Sequence, residues 1–390
     1  MNHLKIVIVG AGMGGLTTAI AMTQAGYDVE IYDRVRELRP AGAGISLWSN
    51  GVKVMNRLGL GKEIAAIGGS MERMSYVSKA GDCLTDFSLG PLVERVGQCP
   101  YPVARTDLQR MLLEAFGADK VQLNSKCVAV EQTSDSATAI FENGHRATGD
   151  LVVGADGTHS IIRQTVLGHP TERRYAGYVN WNGLVDVDER FAPQNSWVIY
   201  VGDAQRASMM PVGGNRFYFF FDVPLPKEAA LQQDPNHDPR AELSQYFSGW
   251  AEPVQHLIQA LDPSTTNRVP IHDIEPLPTL ASGRIALLGD AGHSTAPDLG
   301  QGGCQAVEDA WTLANILLTT NIGVADALQR YDHARGDRTG NLVLKARKRA
   351  NMIHGKVPEK TQQWYDDLAH EDGSKIIDAI ANIIVQGPMG

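Results

Sequence analysis

The first thirty-odd residues constrain the fold more than any other part of the chain. "LKIVIVG" is a β-rich apolar run, "GLTTAIAMTQAG" reads as a helix closing at Gly26, and "YDVEIYD" is a second strand. Together they make one βαβ unit. Between strand and helix lie Gly10, Gly12, Gly14 and Gly15, so that Gly10, Gly12 and Gly15 spell G-x-G-x-x-G. Glycines at this turn allow a tight strand-to-helix reversal, backbone approach to a pyrophosphate and close helix packing, while the helix N-terminus offers free N–H groups. Asp33 ends the second strand, where a carboxylate binds ribose hydroxyls. A glycine turn alone means little. Strand, turn, helix and acid in this order predict dinucleotide binding, which NAD and FAD share.

The rest of the composition is that of a globular protein: 390 residues, 43% hydrophobic and 20% charged, long enough for two or three domains. A formal net charge of -9 argues against a general nucleic-acid partner. The basic run Lys345-Ala346-Arg347-Lys348-Arg349 is expected to be a solvated helix face. Cys83, Cys99, Cys127 and Cys304 are scattered, without C-x-x-C pairs or zinc-like histidine spacing, as expected of reduced thiols and no metal site. The N-terminal apolar run is short enough to be a strand rather than a signal peptide, and no apolar run reaches the length of a membrane span. A soluble cytoplasmic protein without a membrane partner is the expectation.

Residues 40 to 72 hold a glycine-rich turn, "PAGAGISLWSNG", then a helical "VKVMNRLGL". "RTDLQRMLLEAF", residues 105 to 116, reads as a capped helix with Leu108, Met111, Leu112 and Phe116 on one face. "DLVVGADGTHSIIR" is a strand to residue 153, a turn and a helix. From about 176 to 275 the pattern becomes alternating and aromatic, the signature of an antiparallel sheet inserted into an α/β domain. "GRIALLGD" returns to the α/β style, and helices follow. In the last, "SKIIDAIANIIVQG", Ile376, Ile380, Ile383 and Ile384 form a stripe that stops at Gly387-Pro388. It is expected to dock on the body of the protein or on a second subunit, as in a homodimer, since its polar face lacks the basic residues of a membrane-surface helix. The expected fold class is α/β: a Rossmann-like domain assembled from 1–72, 101–175 and 280–355, a substrate domain from 73–100 and 176–279, and a C-terminal helical segment, 356–390.

Two further motifs narrow the cofactor. Gly154-Ala155-Asp156-Gly157 could be an ordinary Asp-Gly turn and Gly289-Asp290 an ordinary helix start, but GxGxxG, DG and GD in this order on strand ends form a specific constellation. On Gly10 to Gly15, Gly154 to Arg163 and Gly283 to His293, the sequence resembles the flavoprotein aromatic hydroxylases, single-component FAD monooxygenases with a p-hydroxybenzoate-hydroxylase-like fold. The resemblance runs over essentially the whole chain. Asp33 stands where that family more often has Glu, and Gly292 where it often has Ala; a shorter carboxylate still reaches a ribose. The resemblance implies tightly bound FAD, with the glycine turn and Asp33 at its ADP half, Arg105 along it, Asp290 on its ribityl chain and Pro297 near the reacting flavin edge. Gly300, Gln301, Gly302 and Gly303 would open a helix facing the flavin pyrimidine, whose dipole stabilises the negative charge of reduced flavin. Arg34, Ser46, Cys127, Asp156 and Cys304 complete the implied cofactor set. With no second GxGxxG, NADH is expected to bind transiently as electron donor, without a Rossmann domain of its own.

The segments "RRYAGYVNWNGLV", "RASMMPV", "NRFYFFFDVPLP" and "TTNRVPIHDIEP" are similar to those members of the family that hydroxylate urate at C5 with NADH and O2. That likeness makes Asn180, Arg206 and Tyr218 the substrate contacts, with Phe219 and Phe220 beside them, and Arg206 the group that activates urate by holding its anion. It also implies that O2 adds to reduced flavin at C4a as a hydroperoxide attacked by the urate anion. Read without the likeness, an Arg on a strand is a surface group and "FYFFF" is core. Alternation puts Tyr218 and Phe220 on the face opposite Phe217, Phe219 and Phe221. His293 is expected to be a satisfied, non-catalytic histidine. Salicylate or a hydroxynicotinate stays open as substrate, as do an NAD-dependent dehydrogenase on the first motif alone and a non-catalytic flavin protein.

Overall fold

In a computed structural model, which describes residues 4–37, 43–232, 238–320 and 322–389, the strand Lys5–Val9 lies inside a six-stranded sheet. The order is Ala281–Ser282, Ile285–Leu287, Leu151–Gly154, Lys5–Val9, Asp28–Tyr32, Val121–Gln122. All neighbours pair in parallel except the first two strands. Ile6, Val7 and Ile8 are wholly buried, as a strand covered on both faces must be. The register sets Val9 opposite both Tyr32 and Gly154, and Gly154 opposite Leu287. The chain therefore leaves four strands along one line, and Gly10, Asp33, Ala155 and Leu288 emerge side by side. Ligands of open α/β sheets bind at this carboxyl edge.

The helix Met13–Gln24 follows the glycine turn, and the helix Gly302–Thr319 packs on it. Arg105–Phe116 buries Leu108, Met111, Leu112 and Phe116 as the spacing predicts. It starts without the expected side-chain cap; the Arg105 N–H donates to the Ala43 carbonyl instead. Of the glycine-rich turn, Pro40, Ala41 and Gly42 lie outside the described residues.

The second large sheet has seven strands in the order Asn267–Asp273, Arg174–Asp186, Arg216–Pro224, Gln205–Val212, Ser196–Gly202, Arg73–Ser78, Cys83–Ser88. Its pairing is antiparallel with one departure from expectation: Ser196–Gly202 runs parallel to Arg73–Ser78. That junction brings residues 73–88 into the same sheet as residues 174–273. One face packs Phe217, Phe219 and Phe221 against Phe247, Trp250 and Leu257 of the segment 239–260. A smaller three-stranded sheet, Cys127–Gln132, Ala137–Phe141 and Arg146–Gly149, completes a mixed α/β fold.

The C-terminal stripe docks on the body. Ser374–Val385 packs on Gly90–Val96, where Arg95 donates to Asp378 and Asn382. The basic run differs in part from a solvated face. Lys345 and Lys348 are exposed, but Arg347 pairs with Asp273 and Glu275, and Arg349 donates to the Tyr76 hydroxyl over the Trp364 ring. Among the described residues no helix is long and apolar enough to cross a membrane, and no cluster of His, Cys, Asp or Glu is placed to hold a metal.

A buried ionic cluster locks the Gly302–Thr319 helix in place. Arg335, on the 30-residue helix Val324–Ile353, pairs with Glu308 at 2.6 Å and Asp309 at 2.7 Å. Arg338 bridges Glu308 to the Ile383 carbonyl, and Asp309 accepts from the Gly289 N–H and contacts His293 at 2.6 Å. Burial opposes the Asp309 charge, yet His293 and Arg335 hold its pKa down to about 2. Arg335→Ala would leave two buried carboxylates without their main cation. We expect a loss of about 3–5 kcal/mol in denaturant unfolding; a loss below about 1 kcal/mol, as for an exposed pair, would contradict this role.

Candidate functional site

Where the strand ends align, the surface opens into a cavity of about 410 Å³. Gly10, Gly12, Asp33, Arg34, Arg105, Cys127 and Asp156 line it, together with Met13, Ile45 and Lys126. Two properties of the glycine turn decide what can lie there. Gly10 has φ +108°, and a methyl on it would stand 2.1 Å from the Ala155 carbonyl oxygen; one on Gly15 would stand 1.8 Å from that of Gly10. Both positions exclude a side chain. At Gly12, by contrast, nothing lies within 4 Å of where a Cβ would be, so the turn faces open space. The helix behind it carries no side-chain cap and no acid in its first turn, leaving its N–H groups to a ligand.

These features fit the phosphate and ribose portion of FAD. Asp33 first braces the turn, accepting from the Ala11 N–H at 2.6 Å and the Val35 N–H at 3.0 Å. A carboxylate has capacity for further donors, so a ribose is still served. Asp156 Oδ2 accepts from the Ile161 N–H, while Oδ1 is buried without a partner, and burial pushes the carboxyl's pKa up. An orphaned acceptor in the cavity wall is what a hydroxyl-bearing ligand would satisfy. Burial likewise raises the Cys127 thiol to about 11 and Cys304 to about 12, so both are packing groups rather than nucleophiles.

The remaining implied cofactor residues gather apart from the cavity lining. Gly14 packs between the two helices, where a methyl would meet Leu288 and Ala306. Asp290 is exposed and accepts from the Thr158 hydroxyl. Pro297 is exposed at the start of a single turn, Pro297–Leu299, that closes at Gly300. The Ser46 hydroxyl donates to the Gly300 carbonyl, the Cys304 thiol lies against the Ser46 carbonyl, and Gln301 accepts from Asn50. Gly302 begins its helix without an acidic first turn, and Gly303 lies against Met13 and Ile45, which also wall the cavity. The two groups thus meet at Met13 and Ile45.

Sheet register assembles the other half of the site. Asn180, Asp222 and Arg206 are directly opposite one another on three adjacent strands, so their side chains share a face. Leu184, Tyr218 and Met210 form another such row, with Asn182, Phe220 and Ser208 between them. Arg206 is buried; its Nε and Nη2 donate to Asp222 Oδ2 at 2.9 and 2.6 Å, and Nη2 also donates to Asp298 Oδ1 at 2.8 Å. Burial would lower its pKa, but the two carboxylates raise it, so it stays a cation. It lies 5.4 Å from the Phe220 ring centroid. No hydrogen bond to a described residue engages its Nη1.

Asn180 donates to Asp222 and accepts from Asn182, which fixes its amide. Tyr218 lies on Gly44, where a methyl would stand 2.5 Å from the ring, so the Arg206 face of the sheet abuts the Gly44–Ile45 strand beside the cavity. Burial, then Asp222, pushes the Tyr218 phenol's pKa well up, keeping it neutral. Phe219 differs from the rest: its ring is wholly buried in the opposite core, against Gly183 and Phe221. Only its backbone reaches the Arg206 face. His293 is engaged by Asp309.

A family described as FAD binding domain matches residues 3–346. The chain belongs to this FAD-binding family. It is 50% identical, over 99% of its length and 100% of the relative, to an FAD-dependent urate hydroxylase of Klebsiella pneumoniae. It is 49% identical to an FAD-dependent urate hydroxylase of Mycolicibacterium vanbaalenii, over 99% of this chain and 98% of that one. The crystal structure of Klebsiella pneumoniae HpxO complexed with FAD and uric acid superimposes with a TM-score of 0.96 at 50% identity, covering 100% of this chain and 98% of that chain. The fold of this family member is p-hydroxybenzoate-hydroxylase-like, as its three motifs predict.

Sequence reasoning missed Asp222, Asp298, Tyr178 and Asn182. Asp222 was within reach, since alternation puts it on the face of Tyr218 and Phe220, where a lone carboxylate in an aromatic strand calls for a cation. Asp298 stands one residue after Pro297, but its partner Arg206 is 92 residues away and no local pattern reveals it. The glycine turn generates a test. Gly10→Ala, whose methyl meets the Ala155 carbonyl, should lower the melting temperature as well as the flavin content, whereas Gly12→Ala should fold normally and lose flavin alone, because its methyl enters the space a pyrophosphate would fill. A melting temperature unchanged in Gly10→Ala, or wild-type flavin absorbance in Gly12→Ala, would contradict the geometry.

Proposed function

We propose that this chain is an FAD-dependent monooxygenase that hydroxylates urate at C5, giving 5-hydroxyisourate, with NADH as electron donor and O2 as oxidant. The observation that carries the reading is Arg206: a buried cation held by two carboxylates, with Nη1 uncommitted, on a sheet face that abuts the cofactor cavity. The urate hydroxylases at 50% and 49% identity and the uric acid complex at TM-score 0.96 support the same substrate.

Gly10, Gly12, Asp33, Arg34, Arg105 and Asp156 would hold the nucleotide portion of FAD, and Asp290, Pro297 and the Gly300–Cys304 segment the flavin portion. When bound, FAD supplies electron transfer from NADH and activation of O2. The protein binds, orients and shields. Arg206 Nη1 donates to the urate anion and favours the ionised purine, whose C5 is the more nucleophilic. Asn180, oriented by Asn182 and Asp222, adds a directional amide contact. Tyr218 and Phe220 offer ring faces to a flat heterocycle and exclude water. The division into a nucleotide-binding part (1–72, 101–175, 280–355), a substrate part (73–100, 176–279) and a helical tail (356–390) belongs to the same proposal.

The test is NADH oxidation by the flavin-loaded protein with and without urate, following urate and peroxide together. Urate should accelerate oxidation sharply and disappear with little peroxide released. Arg206→Gln should keep FAD and lose about 10–100-fold in urate turnover, the weight of a charge-assisted contact. Oxidation indifferent to urate, or undiminished urate turnover in Arg206→Gln, would overturn the reading.

A further inference from the structure

Asp298 is met by three side chains: Arg206, Tyr178 and His354. His354 is buried at the C-terminal end of the helix Val324–Ile353. Its ring stacks on Tyr178, with centroids 3.8 Å apart and planes inclined by 23°. Nδ1 lies 3.2 Å from the Ala204 carbonyl oxygen, and Nε2 lies 3.4 Å from Asp298 Oδ1 without hydrogen-bond alignment. Each ring nitrogen therefore faces an oxygen acceptor. Ala204 is a firm anchor, because its N–H donates to the Tyr365 hydroxyl and it holds φ +60° in a tight reversal between strands.

Asp222 and Asp298 place two buried carboxylates against one guanidinium, and buried charges persist only when balanced and hydrogen-bonded. His354 sets one ring nitrogen beside each acceptor, Nδ1 by the Ala204 carbonyl and Nε2 by Asp298 Oδ1. Burial works against the Asp298 charge, while Arg206, then His354 and Tyr178, hold its carboxyl below the usual range. Tyr178 takes Oδ2 at 2.6 Å, so Oδ1 is shared between Arg206 and His354.

We propose that His354 is a positioning residue for Arg206: by occupying one side of Asp298 Oδ1 it limits that carboxylate to Nη2 and leaves Nη1 turned to the anionic substrate. The inference rests on Arg206 being the urate-binding group. Without the histidine, Asp298 has spare acceptor capacity beside a guanidinium, and a carboxylate so placed takes two N–H groups in a bidentate pair. The groups facing the ring are Asp298 from the Pro297–Leu299 turn, Tyr178 from its strand and the Ala204 carbonyl from the strand reversal, with Arg206 and Asp222 behind Asp298.

Three variants separate this role from packing. His354→Phe keeps a ring for the stack and removes both nitrogens, His354→Asn keeps an amide near Nδ1 only, and His354→Gln places an N–H near Nε2, toward Asp298. With flavin loading checked by visible absorbance, steady-state NADH oxidation against urate concentration should show KM for urate raised about tenfold in the Phe and Asn variants. In both, kcat should change less than KM, and the Gln variant should recover part of the loss. Wild-type KM in the Phe and Asn variants would overturn the inference, as would equal losses in all three. A wild-type protein that ignores urate would instead overturn the assignment of Arg206, and this inference with it.

Discussion

Arg206 is buried between Asp222 and Asp298, and its pairing joins the seven-stranded sheet to the loop after Gly289-Asp290. Asp222 comes from the neighbouring strand of the seven-stranded sheet, Asp298 from the loop after Gly289-Asp290. Without the loop Asp222 would still pair Arg206, but Arg206 and Tyr178 would both lose their contact to Asp298, so the loop adds to the stability of the buried cation. The loop in turn continues into the Gly302–Thr319 helix, which Arg335 and Asp309 lock to the Gly289 turn. That ionic contact thereby sets the Arg206 face of the sheet against the loop implied to position a flavin. The energy spent on burying charge is recovered as geometry.

The two glycine-acid motifs have separate tasks within that frame. Gly10 and Gly15 exclude side chains by backbone contact and shape the cavity, whereas Gly289 offers its N–H to Asp309 and turns the chain toward Asp290 and Pro297. Met13 and Ile45 lie between the two regions, lining the cavity on one side and touching Gly303 on the other. A long cofactor spanning both explains why one chain uses a strand followed by glycine and acid at both ends of its sequence.

Most of the architecture was legible in local pattern. The βαβ start, the aromatic alternation of Phe217 to Phe221 and the apolar stripe of Arg105–Phe116 follow from periods of two and 3.6 residues, which sequence displays directly. What escaped was set by distant pairing. The parallel junction of Ser196–Gly202 with Arg73–Ser78 depends on a connection longer than 100 residues, and the inward turn of Arg347 and Arg349 on carboxylates and rings far along the chain. For the site, the resemblance supplied Arg206, Asn180 and Tyr218, but not the partners that make Arg206 usable. Phe219 shows the limit of carrying a role over by position: it adjoins Tyr218 and Phe220 in sequence, yet its side chain belongs to the opposite core.

The central claim is that Arg206 Nη1 is the group the fold reserves for an anionic purine. It is tested most directly by a structure of the flavin-loaded protein with urate bound. The account predicts a urate oxygen or deprotonated nitrogen within hydrogen-bond distance of Nη1, with Asp222 and Asp298 still paired to Nε and Nη2. Urate seated away from Arg206, or Nη1 turned into a second bond with Asp298 while urate is bound, would contradict it.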